Sequence, residues 1–186
     1  LVKKQPPNMK KAFAATLLAL ASLSSAASSL EGNIRAIHDQ AGARIGSTVD
    51  HWKFTARNTG PVAIDVLSWE APSGIATDLN GDGEIAFFDS VIYLFRDDGV
   101  LDASDFVAVN DDSSATFDDG SQSELDSSLS LSLTAGNYLL AIGAYLLNEL
   151  DAISGINHEN YYPVSCATPT GSCTRVQNDH GDYRIT

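Results

Sequence analysis

Positive charge is what this sequence has least of. Its 186 residues include 11 Lys and Arg against 24 Asp and Glu, a formal net charge of −13 at pH 7. Four of the bases, Lys3, Lys4, Lys10 and Lys11, lie before Ala26, where no acid occurs, so beyond that point seven bases face twenty-four acids. A polyanion of this kind repels nucleic acid and anionic lipid heads and attracts cations, which argues against nucleic-acid binding. Long apolar runs are equally scarce. The single one is near the N-terminus, which excludes a multi-span membrane protein. Cysteine is limited to Cys166 and Cys173, with no further soft ligands spaced for a zinc site. Common catalytic signatures are missing too. There is no Gly-x-Ser-x-Gly elbow and no phosphate-cradling glycine loop, and His158-Glu159 lacks the second histidine of a zinc-protease pair. A hydrophobic content of 44% with 19% charged residues suits one globular domain.

From Met9, the only methionine, the chain has the three parts of a secretory signal. Lys10 and Lys11 form the positive segment, Ala12 to Leu23 the apolar one, and Ser24-Ser25-Ala26-Ala27 offers small-residue cleavage sites. Twelve apolar residues are too few to cross a ~30 Å hydrocarbon core, so no stable membrane span is expected in the mature chain. Residues 1–8 read as an upstream extension, 9–26 as a signal peptide and 27–186 as one domain working outside the cytoplasm. In that oxidising setting Cys166 and Cys173, close together in a turn-rich stretch, are expected to form a local disulfide.

Leu30 to Gly46 carries no clear periodicity. After Thr48 the period becomes two: Trp52, Phe54 and Ala56 share one strand face, and Val62, Ile64 and Val66 share another beyond the turn cluster Asn58-Thr59-Gly60-Pro61. The two segments read as a hairpin. Ala86 to Phe95 is rich in aromatic and β-branched residues and predicts a third strand, with Phe106 to Val109 a short fourth. Ser127 to Thr134 alternates leucine with serine, Tyr138 to Ala144 follows across a turn, and Arg184-Ile185-Thr186 starts a last strand. Short strands separated by turn signals predict an all-β fold, an antiparallel β-sandwich with minor helix, while Ser113 to Ser128 predicts a long acidic loop.

Fourteen of the acids lie between Asp78 and Asp126, where Arg96 is the only base. Two carboxylates about 4 Å apart repel by ~1 kcal/mol even at the dielectric of water. A fold that concentrates acids either splays them into solvent or neutralises them with a cation. The segment Asp78-Leu79-Asn80-Gly81-Asp82-Gly83-Glu84-Ile85-Ala86-Phe87-Phe88-Asp89 favours the cation. Asp78, Asn80, Asp82 and Asp89 stand at loop positions one, three, five and twelve, with Gly83 at the sharp turn and the Glu84 carbonyl as another donor. Hard oxygens without histidine or cysteine indicate calcium. Asn110, Asp111, Asp112 and Asp126 are candidates to complete the coordination from neighbouring loops. Asp97, Asp98, Asp118 and Asp119 read as solvated acids.

The Asp78–Asp89 loop resembles a dockerin calcium loop, although dockerins carry two copies, each leading into a helix, and Val91 to Phe95 favours a strand. More broadly, Asp89 to Gly99, Val107 to Asp112 and Leu131 to Gly143 resemble the bacterial pre-peptidase C-terminal domain, and in particular its secreted DVUA-type relatives. The resemblance implies a jelly-roll-like β-sandwich, often calcium-binding, exported with extracellular bacterial proteins. It assigns Asp89, Asn110, Asp111 and Asp112 as acidic-site positions and Gly136 and Tyr138 as structural ones. The expected function is therefore a secreted, non-catalytic, calcium-binding module for a cell-surface glycan or protein. A dockerin-like docking module and a small extracellular hydrolase domain are the alternatives. Trp52, Trp69, Tyr161 and Tyr162 are the aromatics available to stack on sugar rings, although core burial is the commoner role of tryptophan.

Overall fold

The structure is a computed structural model, and it describes residues 28–69, 77–84, 86–113, 123–158 and 180–186. The signal-like segment, the Cys166–Cys173 pair, Tyr161, Tyr162, Asp118 and Asp119 lie outside the described residues. Two antiparallel four-stranded sheets face each other. The first has the order β1 (Leu30–Ile34), β11 (Gly181–Ile185), β5 (Gly60–Leu67), β8 (Ser128–Leu133). The second has the order β4 (Asp50–Ala56), β9 (Gly136–Ala144), β6 (Ser90–Arg96), β7 (Phe106–Asn110). A smaller sheet joins β2 (Ala36–His38), β3 (Arg44–Thr48) and β10 (Ile156–Asn157). Among the described residues, helix is limited to α1 (Glu149–Ser154) and a 3-10 turn at Ala103–Asp105. The all-β sandwich is as the alternation predicts.

The main core fills the space between the sheets. Ile34, Ile64, Val66, Leu133, Tyr183 and Ile185 of the first sheet meet Ile92, Leu94, Tyr138, Leu140 and Ile142 of the second. Side chains alternate along each strand, so β8 sends Leu129, Leu131 and Leu133 inward and leaves Ser130 and Ser132 exposed. The second sheet is also covered on its outer face, where Val91, Phe95, Leu139 and Ala141 pack under Leu147 and Ala152 near α1. Burial on both faces explains why β6 and β9 read as continuous apolar runs, whereas β4, open on one side, alternates.

Two expectations change. Residues 51–69 do not form a hairpin: β4 pairs with β9, and β5 pairs with β8 and β11, so the Asn58-Thr59 turn carries the chain from one sheet to the other. The third strand begins at Ser90, because Ala86 and Phe87 make only isolated bridges to Thr77 and Trp69. Of the acidic loop, residues 113 and 123–127 are described, and Ser123, Asp126 and Ser127 at its far end are buried.

Tyr183 links the two sheets through polar atoms. Its hydroxyl donates to Asp50 Oδ2 at 2.6 Å and accepts from Trp52 Nε1 at 2.7 Å, which satisfies both buried polar groups. Gly32, its cross-strand partner, leaves room for the ring: a Cβ there would lie 2.2 to 2.8 Å from the hydroxyl and two ring carbons. Gly32→Ala is therefore expected to destabilise the fold by about 2 kcal/mol through overpacking, read from urea unfolding midpoints. An unchanged midpoint would show that the ring can move aside.

Candidate metal centre

The 78–84 loop is shaped by its own side chains. Asp78 accepts from the N–H groups of Gly81 (2.5 Å) and Gly83 (3.0 Å), Asn80 Oδ1 from Asp82 N (2.8 Å), and Asp82 Oδ1 from Glu84 N (2.9 Å). These successive Asx turns curl the backbone, and Gly81 and Gly83 adopt φ of 82° and 98°, a region open to glycine at no steric cost. Asn80, expected as a ligand, has its Oδ1 taken up by the Asp82 N–H and turns its amide nitrogen, not its oxygen, toward Asp182.

What the loop faces is a surprise of topology. The loop lies on the outer face of the first sheet, against Asn33 of β1 and Asp182 of β11, which are register partners. Asp182 Oδ2 accepts from Leu79 N at 2.9 Å, and its Oδ1 accepts from Asn80 Nδ2 at 2.6 Å. Carboxylate oxygens of Asp78, Asp82 and Asp182 all lie within 4.8 Å of one another. The Asn33 amide sits among them: Nδ2 is 3.0 Å from Asp82, 2.7 Å from Glu84 and 3.2 Å from Asp182. An amide has two hydrogens for those three carboxylates, and the buried Asn33 Oδ1 has no hydrogen-bond partner. Turning that amide over would aim a neutral oxygen at the same centre, an arrangement that repels unless a cation occupies it.

Position twelve of the loop goes elsewhere. Phe87 and Phe88 are fully buried, Phe87 stacked on Trp69 at 4.5 Å, so the chain runs extended through the core and does not curl back. Asp89 emerges against Asp111 and Asp112, the three offering oxygens within 4.8 Å as a second acidic group. β6 follows directly, where a dockerin loop would lead into a helix. Asn110 and Asp126, expected as ligands, are engaged in hydrogen bonds. Asn110 Oδ1 accepts from Ser128 N at 2.7 Å and its Nδ2 donates to the Asp112 carbonyl. Asp126 Oδ1 accepts from Ser68 N, Ser68 Oγ and Trp69 N at 2.7 to 2.9 Å. These two tie β7 to β8 and fix the end of β5.

The electrostatics reflect the crowding. Burial, then the charges of Asp111, Asp112 and Asp126, push the Asp89 carboxyl up to about 8. Burial raises Asp182 to about 6, with the Leu79 N–H pulling it down and Asp82 adding to the rise. Desolvation raises Asp78, yet the N–H groups of Gly81 and Gly83 together carry it below the ordinary carboxylate range. Of the acids read as solvated, Asp98 is exposed, while Asp97 pairs with Lys53 at 2.9 Å. That pair lines an open depression of about 220 Å³ with Phe54, Thr55 and Asn137. Trp52 and Trp69 are core residues, as their commoner role predicts.

Asn33 and Asp182 are the site residues that sequence reasoning missed. Asp182 is far from the loop in sequence, and no motif spacing joins it to Asp78 and Asp82. The available signal was an acid alternating with inward Tyr183 and Ile185. No family model matches the chain, and no curated protein matches it.

These carboxyls make the ion-free fold sensitive to pH. With folded-state values raised from 3.8 to about 6 and about 8, Asp182 and Asp89 hold protons that the unfolded chain has released. Their contribution is full below 3.8 and is lost as the pH rises through about 8, so stability falls across that window. Asp78, Asp97 and Asp102, with lowered values, titrate beneath it. Thermal melts in chelator are expected to show Tm declining from mildly acidic to mildly alkaline pH. A rising Tm over that range would contradict the burial of these groups.

Proposed function

We propose that the chain is an exported, non-catalytic β-sandwich module of the pre-peptidase C-terminal kind, stabilised by calcium and serving a cell-surface glycan or protein as binding partner. The observation that carries this reading is the convergence of Asp78, Asp82 and Asp182 beside Asn33, from three segments distant in sequence. Every donor there is oxygen, which suits a hard cation and disfavours zinc or copper. Side-chain oxygens of Asp78, Asp82 and Asp182, with Glu84 and Asn33 at the rim, would hold the ion.

The role of the ion is structural. Calcium supplies the positive charge that cancels the mutual repulsion of the carboxylates, and it does so only when the loop, β1 and β11 are together. Binding energy is then folding energy. Asp89, Asp111 and Asp112 face the same repulsion, and there the proton held by Asp89 competes with any cation. Acids committed to an ion make poor general acids, and in the depression beside β4 the one acid, Asp97, is paired with Lys53. Both points support a binding role over hydrolysis. Export is supported by the signal-like segment from Met9 to Ala26.

At calcium a hundredfold above Kd the stabilisation is about 2.7 kcal/mol, or about 10 °C in Tm. Asp82→Asn relieves repulsion on Asp182, so it is expected to raise the Tm in chelator slightly while abolishing most of the calcium-dependent rise. Calorimetric titration of the wild-type chain with calcium checks the binding directly. Absence of both heat and Tm shift would remove the basis of the reading.

A further inference from the structure

The four edges of the two large sheets are not protected alike. β1 carries Glu31, paired with Arg184 at 2.8 Å, and β8 exposes Ser130 and Ser132. β4 turns His51, Lys53 and Thr55 outward. Such charges and polar groups are the usual means of keeping an edge strand from pairing with another chain. β7 has neither charge nor proline: it reads Phe106-Val107-Ala108-Val109-Asn110, with Phe106, Val107 and Val109 exposed by 43%, 36% and 45%. Among the described residues it pairs on one side only, with β6.

This edge is held ready. The strand's one protective irregularity is a bulge between Leu94 and Phe95, where Val107 is an extra residue; it leaves Phe106 and Val107 exposed and Ala108 to Asn110 in regular register. The Phe106 ring packs edge-on against Tyr93 and Phe95, at 6.3 and 6.4 Å, giving the strand a firm apolar base. At the far end, the Ser127 hydroxyl lies within hydrogen-bond reach of the carbonyls of Ser90, Asn110 and Asp111, and Ser128 N donates to Asn110 Oδ1. A strand fixed at both ends loses little conformational freedom on pairing.

Charge indicates the occupant. Exposed Asp98 and Asp102 precede the strand, Asp111 and Asp112 follow it, and the nearby bases are already engaged, Lys53 with Asp97 and Arg96 with Thr134. A second copy fits poorly. Antiparallel pairing of β7 with itself would set Asp111 and Asp112 of each copy beside the acidic 102–105 turn of the other. We infer that β7 is a docking edge for an extended segment of another protein, one that adds a strand with apolar residues toward Phe106, Val107 and Val109 and carries lysine or arginine at its ends. This surface is separate from the proposed calcium site and does not depend on it.

The test uses capped peptides of alternating valine and threonine, flanked at both ends by either two lysines or two glutamates. Binding to the full chain is read by fluorescence anisotropy and by amide hydrogen exchange. The lysine-flanked peptide is expected to bind at least about tenfold more tightly, weaken with salt and slow exchange within residues 106–110. Val109→Lys should abolish this protection, and Val109→Thr, which keeps strand propensity, should retain most of it. Val109 is exposed, and unchanged circular dichroism and Tm would confirm that both variants fold. Equal affinity for the two peptides, protection elsewhere, or no binding would overturn the proposal. So would sedimentation showing a wild-type dimer that Val109→Lys dissociates, because the occupant would then be a second copy.

Discussion

The fold depends on how β11 reconciles opposite demands at neighbouring residues. Strand alternation sends Tyr183 into the core and Asp182 to the outer face, and neither is satisfied locally. Tyr183 needs Asp50 and Trp52 of the opposite sheet, and Asp182 needs the 78–84 loop and Asn33. One strand thus fastens the first sheet to the second on one side and to the acidic loop on the other. Because β11 also pairs with both β1 and β5, an error in its register would expose the tyrosine and bury the carboxylate among apolar groups.

Much of the sandwich is legible in the sequence because its strands have one wet face. In β8 the serines mark solvent and the leucines mark the core, and β4 shows the same contrast. Partners are less legible than faces. Periodicity reports which side of a strand is buried and carries nothing about which strand lies beside it, so a two-sheet crossing at Asn58-Thr59 looks the same as a hairpin. β1, β2 and β3 escape notice for a different reason: they are short, partly exposed and interrupted by glycine and charge, and tertiary pairing makes them strands.

The acidic sites divide along the same line. Asp78, Asn80 and Asp82 are recognisable because a single loop fixes their mutual geometry, and local spacing is what a motif records. Position twelve depends on the path taken after the loop, and that path is set by where Phe87 and Phe88 are buried. Asp89 accordingly belongs with Asp111 and Asp112. Asn110 and Asp126 have the right chemistry for ligands, but backbone N–H groups at the ends of β5 and β8 claim their oxygens. A carboxylate near an acidic cluster is as useful for ending a strand as for holding an ion, and sequence does not separate the two.

A proton and a divalent ion are the two remedies for crowded carboxylates, and the groups differ in which they favour. Asp89 is deeply buried and needs to lose its charge, which a single proton accomplishes at one oxygen. Asp78, Asp82 and Asp182 are otherwise placed. Asp78 is half-buried and held ionised by N–H groups, Asp82 faces solvent, and both oxygens of Asp182 already accept hydrogen bonds. Protonating Asp182 would turn an accepting oxygen into a donor facing the N–H of Leu79 or the amides of Asn33 and Asn80. Burial favours a proton there below about 6, but that proton costs a hydrogen bond, whereas a cation approaching the remaining lone pairs leaves those bonds in place. The loop geometry, more than the number of acids, is what supports the metal proposed for this centre.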